Sequence, residues 1–282
     1  MSRSHAEIPD PAGLDPALVT RLREAAPLVQ CITNTVTTNL VASAVIAIGG
    51  SPAMVDITGE AGPFAQIAGG LLINLGTPPA EQRAPMHQAA RAAAQAGTPW
   101  VIDPIGFGAL PVRTQLAREL IELGPTVIRG NASEIRALAG SGSGARGVDA
   151  VDGVDEAEAD AISVSRETGA VVAVSGAVDL VTDGSAVARI ANGDPLFTRI
   201  TGAGCALGAV IAAFAAVAED PFAATIAACT SYAVAGELAA ERAGGPGSFV
   251  PELLDALDRV DAGTVAERAR VSLGAPTFAA AR

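Results

Sequence analysis

The stretch that decides the fold is TRITGAGCALGAVIAAFAAVA, Thr198 to Ala218. It reads as a short β-like segment, a small-residue turn at Thr201-Gly202-Ala203-Gly204, and an apolar helix with Cys205 in its first turn. Backbone N–H groups of a first helical turn have no partners inside the helix, and the helix dipole there is positive. Glycines let an anion approach those groups closely. The stretch is therefore either an anion cradle with a thiol aimed into it or a buried helix after an ordinary turn. The residues around it bear on that choice.

Upstream, strand and helix signals alternate for most of the chain. A helical pattern over Leu14–Ala25 leads to a strand at Leu28–Gln30, then a helix over Thr35–Ile48 stopped by Gly49-Gly50. Strands follow at Ser51–Val55, Leu71–Leu75, Pro99–Ile102, Thr126–Ile128 and Val171–Val174, with helices between them. Leu180–Thr182 and Ala186–Ile190 read as strands joined at Asp183-Gly184, a hairpin signal. Two more helices, Pro221–Ala243 and Pro251–Val260, come after the opening one. The pattern predicts an α/β fold: a mostly parallel central sheet with helices on both faces and ligands at the carboxyl ends of the strands. No linker divides the chain, so residues 14–262 are expected to form one domain, with loose tails at 1–13 and 263–282 and a Gly/Ser/Asp loop over Ser141–Asp152.

Composition removes many functions. The net charge is -12 and aromatics make up 3%, which argues against nucleic acid or an acidic membrane surface as partner. All 18 basic residues are arginine, so a P-loop lysine, a protein-kinase strand lysine and a Schiff-base lysine are excluded. His5 and His87 are the two histidines, too few for a histidine-rich zinc site. Cys31, Cys205 and Cys229 are odd in number and widely spaced, which suggests free thiols in the cytoplasm. The uncharged run Ala25–Val55 is interrupted by polar, Gly and Pro residues, so it does not read as a membrane span.

Polar clusters fall just after predicted strands, where this fold keeps its site. Asn34 is a substrate contact or an N-cap, and Met54 a pocket wall or plain core. Asp103, in Asp103-Pro104-Ile105-Gly106-Phe107-Gly108, suits an Mg²⁺ site or an Asx turn. Asn131 and Glu134 can converge on one point or close a capping box with each other. Arg129 offers a planar fork suited to phosphate, and Ser175 a hydroxyl. Two acids and an arginine at successive strand ends argue for a phosphate-and-Mg²⁺ site, in which the protein positions groups and stabilises charge.

The ordered motifs PLVQCITNTVTTNLVASAVIAIGGSPAM, NLGT, DPIGFGA, IRGNASEI, GVDAV, VSGAVD, TGAGCALGAV and GPGSF make the chain similar to hydroxyethylthiazole kinases of the ribokinase-like superfamily, over about residues 14–262. The resemblance implies a lidless ribokinase-like layered fold. It also implies ATP-dependent phosphorylation of the hydroxyl of 4-methyl-5-(2-hydroxyethyl)thiazole in thiamine biosynthesis or salvage. Gly202, Ala203, Gly204 and Cys205 match the family's anion hole, and Cys205 the position where most ribokinase-like relatives carry an aspartate base. Met54 and Gly202 match substrate-binding positions, with Asn34 nearby, and Arg129 and Ser175 match nucleotide-binding positions. Asp103, Asn131 and Glu134 match the Mg²⁺-phosphate neighbourhood. The family is usually a homotrimer. The Gly/Ser-rich Ser141–Arg146 loop and Cys31 depart from its pattern. A helix N-terminus lowers a thiol pKa, which would favour Cys205 as a modest proton acceptor. A kinase acting on a hydroxymethylpyrimidine and a catalytically silent binding protein are the competing readings.

Overall fold

A computed structural model describes residues 13–142 and 153–276. The expected N-terminal tail up to residue 12 and most of the Ser141–Asp152 loop lie outside the described residues. Nine strands form one sheet: β1 (Leu28–Ile32), β2 (Ser51–Ala53), β3 (Gly70–Asn74), β4 (Trp100–Asp103), β5 (Val127–Asn131), β6 (Val171–Ser175), β7 (Asp179–Thr182), β8 (Val187–Ile190) and β9 (Val271–Gly274). Their order is β2-β1-β3-β4-β5-β6-β7-β8-β9. The first six strands pair in parallel, and β7, β8 and β9 add antiparallel partners at one edge. β1 connects onward to β2 on one side while β3 lies on its other side. That reversal is a topological switch point, where crevices open at the carboxyl ends of strands.

Two apolar layers cover the sheet. One face carries α1 (Ala17–Ala25), α2 (Thr38–Ile48), α8 (Ala203–Ala215), α9 (Pro221–Ala240) and α10 (Pro246–Arg259). The other carries α3 (Ala61–Ile67), α4 (Ala80–Ala96), α5 (Pro111–Ile121), α6 (Ala132–Leu138) and α7 (Glu158–Thr168). The central strands β3 and β4 are buried at every position, as parallel strands sandwiched between helices must be. α9 is long and apolar enough to span a bilayer, but 83% of its apolar window is buried within the fold. Asp220 starts it by accepting from the Phe222 N–H at 2.9 Å.

Several boundaries differ from the sequence expectation. The strands run further, so Asp103, Asn131 and Ser175 are terminal strand residues and Arg129 an interior one, all paired in the ladder rather than in loops after it. Thr198 and Arg199, expected to begin a β-like segment, instead end a short 3₁₀ turn, Pro195–Arg199: Pro195 opens it and the Asp194 side chain accepts from the Leu196 N–H. α10 begins five residues earlier than expected, at Pro246, since proline suits the first turn of a helix. Residues 263–274, expected to be a loose tail, contribute most of a helix, α11 (Ala262–Arg268), and the edge strand β9. Asp261 caps that helix at the Thr264 N–H, and β8 supplies the ladder.

Small residues seat α8 directly on the sheet. A Cβ built on Gly70 in β3 would overlap the Ala212 carbonyl oxygen of α8. A Cβ on Gly208 would lie 3.0 Å from a Leu72 methyl of β3. The obstacle at Gly70 is backbone, which cannot swing aside. We expect Gly70→Ala to lift α8 and to cost about 1–3 kcal/mol, read as a lower urea midpoint at unchanged m.

Candidate active site

The N-terminal turn of α8 is set by Gly202. It occupies the left-handed region at φ +91°, and a Cβ there would meet Thr37 Cγ2 at 2.8 Å. Gly204 faces the end of β5. A Cβ on it would overlap the Arg129 guanidinium, lying 2.6 Å from Nη2. The absence of a side chain at 204 thus lets Arg129 lie against the first turn of α8, with the backbone of Gly202 to Cys205 beside it.

From Arg129 a hydrogen-bond chain, part-buried at Arg129 and Ser175 and buried beyond them, crosses the strand ends. Nη2 donates to Ser175 Oγ at 2.8 Å, and Nη1 pairs with Asp103 Oδ2 at 3.1 Å. Asn74 Nδ2 donates to the same Asp103 oxygen at 3.0 Å. Asn34 Nδ2 donates to Asn74 Oδ1 at 2.9 Å and to Cys205 Sγ at 3.5 Å. The chain of contacts therefore runs Cys205–Asn34–Asn74–Asp103–Arg129–Ser175. The Asn34–Asn74 bond lies across β1 and β3, at the switch point. Asn34 also keeps the structural role open to it: its Oδ1 accepts from the Thr37 N–H at 3.2 Å.

Glu134 lies beside this chain. Its two oxygens accept from the backbone N–H groups of Gly106 and Asn131, each at 2.9 Å, and Asn131 Oδ1 accepts from the Glu134 N–H. The Asn131–Glu134 pair is thus a capping box at the start of α6. Met54 stands just beyond β2, half-buried against the core, and no hydrogen bond ties it to the other site residues. Sequence reading did not single out Asn74, the hub of the chain. Its signal was its place at the end of a strand, one of the positions at which the other site residues were found.

Burial sets the charges. The Asp103 carboxyl is pushed up to about 7, against the pull of Arg129 and with a further push from Glu134. Glu134 is also raised by burial, against the two backbone N–H groups that it accepts from. Burial works against the Arg129 charge, yet Asp103 and Glu134 outweigh it and hold the guanidinium ionised. The Cys205 thiol is raised, first by burial and then by the Asp103 charge; Thr37, Arg129 and Asn34 pull the other way without prevailing. This corrects the expectation of a lowered thiol pKa: the helix N-terminus does not compensate for burial beside a carboxylate. Cys31 and Cys229 are free and buried, Cys31 being pushed up to about 12 by burial, so both are core thiols.

Comparison with known proteins then gives the family. The sequence model of the hydroxyethylthiazole kinase family matches residues 19–263. The chain belongs to that family. The hydroxyethylthiazole kinase of Clavibacter sepedonicus is 56% identical over 255 residues, covering 90% of this chain and 93% of that protein. That of Kineococcus radiotolerans is 49% identical, covering 91% and 94%. The solved hydroxyethylthiazole kinase of Pyrococcus horikoshii superposes with a TM-score of 0.85 at 37% identity, over 92% of this chain and 98% of that one. A Staphylococcus aureus pyridoxal kinase, at 17% identity and TM-score 0.63, shares the ribokinase-like fold. As a hydroxyethylthiazole kinase, the chain phosphorylates the alcohol of the hydroxyethyl thiazole, a step of thiamine biosynthesis.

The raised Asp103 pKa carries a stability consequence. Its folded value, about 7, lies above the unfolded carboxylate value near ~3.9. Between the two the folded state binds more protons, so stability falls as pH rises. We expect the stability of the wild type relative to Asp103→Asn to decline between pH 5 and 7 by about a kcal/mol per pH unit, and then to level off. Urea titrations across that range test it, all above the pI of 4.6.

Proposed function

We propose that transfer from ATP to the thiazole alcohol occurs over the first turn of α8, with Arg129 and the Gly202–Cys205 backbone stabilising charge on the moving phosphoryl group. The observation that carries this reading is the Arg129 guanidinium, packed largely buried against Gly204 and held by Asp103 and Ser175. A guanidinium fixed in this way presents its fork without reorganisation. Arg129 and Ser175 take the nucleotide phosphates. Met54, Asn34 and Gly202 frame the thiazole alcohol beside Cys205.

Asp103 supports a magnesium role. Its Oδ1 is buried with no partner, while Oδ2 is occupied by Arg129 and Asn74. Magnesium sites on phosphate substrates commonly use one or two carboxylates together with waters and phosphate oxygens. Asp103 would hold the ion, with Glu134 as the second acid; Asn131 would serve through the capping box, since its side-chain oxygen is engaged. When bound, Mg²⁺ supplies neutralisation of phosphate charge.

Cys205 acts in this scheme as a group that orients the alcohol rather than as a strong base. Its thiol is held protonated by burial and by Asp103. A loose phosphoryl-transfer transition state makes little demand for early proton removal. A cytoplasmic homotrimer using ATP is the assembly expected of this family, and the exposed Val36, Ile46, Ile57 and Ile67 offer apolar surface for contact between copies.

Steady-state kinetics with ATP and the thiazole alcohol test these roles. We expect Arg129→Ala to lower kcat/KM by about 10²–10³, as loss of a charge-stabilising donor does. Gly202→Val should be comparably damaging, because it adds both the φ strain and the Thr37 collision. Cys205→Ala should lose less than about ten-fold, well below the usual effect of removing a general base. A folded Cys205→Ala without turnover would refute the orienting role. Turnover of a hydroxymethylpyrimidine in place of the thiazole, or tight thiazole binding without ATP consumption, would favour the competing readings.

A further inference from the structure

A second feature lies on the opposite face of the sheet from α8. A cavity of about 490 Å³ opens between the N-terminal ends of α4 and α5, lined by Thr35, Thr77, Arg83, Arg113 and an apolar wall that includes Leu110 and Val112. It adjoins the catalytic strand ends, since Thr35 follows Asn34 and Thr77 lies three residues beyond Asn74. No residue of the Cys205–Ser175 hydrogen-bond chain lines it. Both arginines are half-buried, and among the described residues neither has a carboxylate partner within 4.0 Å. Among the described residues Arg83 spends only Nε, on the Pro78 carbonyl at a long 3.4 Å. Burial pulls the Arg113 pKa down even against the attraction of Glu134. In a chain of net charge -12, two guanidiniums lining one cavity with no carboxylate in contact, only Glu134 acting on Arg113 from further off, form a local excess of positive charge. The wall beside them is apolar and open: Leu110 is 42% and Val112 53% exposed.

We propose that this cavity is an accessory binding site for a small phosphate monoester with an apolar body. Two planar guanidiniums suit the phosphate dianion, the threonine hydroxyls complete its hydrogen bonds, and Leu110 with Val112 covers the body. The product of the proposed reaction has this chemistry, so the inference about its natural ligand rests on that reading, whereas the site itself does not.

The test is calorimetric titration of the full chain with phenyl phosphate while a non-hydrolysable ATP analogue and the thiazole alcohol occupy the catalytic site. Binding of those two is recorded first, so failure of the kinase reading shows itself separately. Phenyl phosphate is expected to bind one further site per chain. Inorganic phosphate should bind that site at least ten-fold more weakly, and Arg83→Gln and Arg113→Gln should each weaken phenyl phosphate by at least ten-fold. The proposal is overturned if the blocked wild type takes up no phenyl phosphate. It is equally overturned if either arginine variant, at unchanged Tm, binds as tightly as the wild type.

Discussion

The contact on which the site depends is the largely buried pair of Arg129 and Asp103, pressed beneath the first turn of α8. A buried ion pair is a poor way to gain stability, because removing both charges from water costs about as much as their attraction returns. Here the partners show that cost directly, since Asp103 is raised to about 7 in spite of the guanidinium. The pair makes sense as positioning. Asp103 and Ser175 fix both guanidinium ends, so Arg129 points at the α8 turn without spending side-chain entropy when an anion arrives. Asn74 and Asn34 extend the same network to Cys205, so the thiol and the guanidinium are held relative to each other across the sheet.

That geometry requires α8 to lie unusually close to the strands, and glycine makes it possible. Gly70 admits the backbone of the helix, Gly208 the Leu72 side chain, and Gly204 the guanidinium itself. The Ala-rich composition has the same consequence elsewhere: helices without bulk approach the sheet by backbone contact, and their position tolerates little error. The chain thus fixes its anion site by steric exclusion more than by specific side-chain bonds at α8.

Much of this was legible in the sequence, because alternation and strand-end position are local signals. Arg129, Asn131 and Ser175 were found for that reason, although pairing with neighbouring strands carries β5 and β6 on to include them. What stayed hidden is non-local. Val271–Gly274 is a strand only because β8, some 80 residues earlier, offers an edge. Asn74 matters through side chains just past β1 and at the end of β4, which no spacing within NLGT reveals. The helix dipole acting on Cys205 could be read from its position in the first turn, whereas burial and the charge of Asp103 could not, and those two decide the direction of the shift.

The identity of residue 205 follows from the same electrostatics. Three carboxyl groups, Asp103, Glu134 and Asp179, already share the field of Arg129, and each is raised. A fourth carboxylate at 205 would face Asp103 in a low-dielectric site with no second buried cation in the chain of contacts to offset it. Like charges so placed cannot all ionise, and the weakest holder would take up a proton. A thiol avoids that conflict. It stays neutral without withdrawing charge from Asp103, and Asn34 fixes its sulfur by donating to it. Asp103 then remains the group whose ionisation responds to what binds, while Cys205 contributes shape and a weakly polar surface beside the reacting hydroxyl.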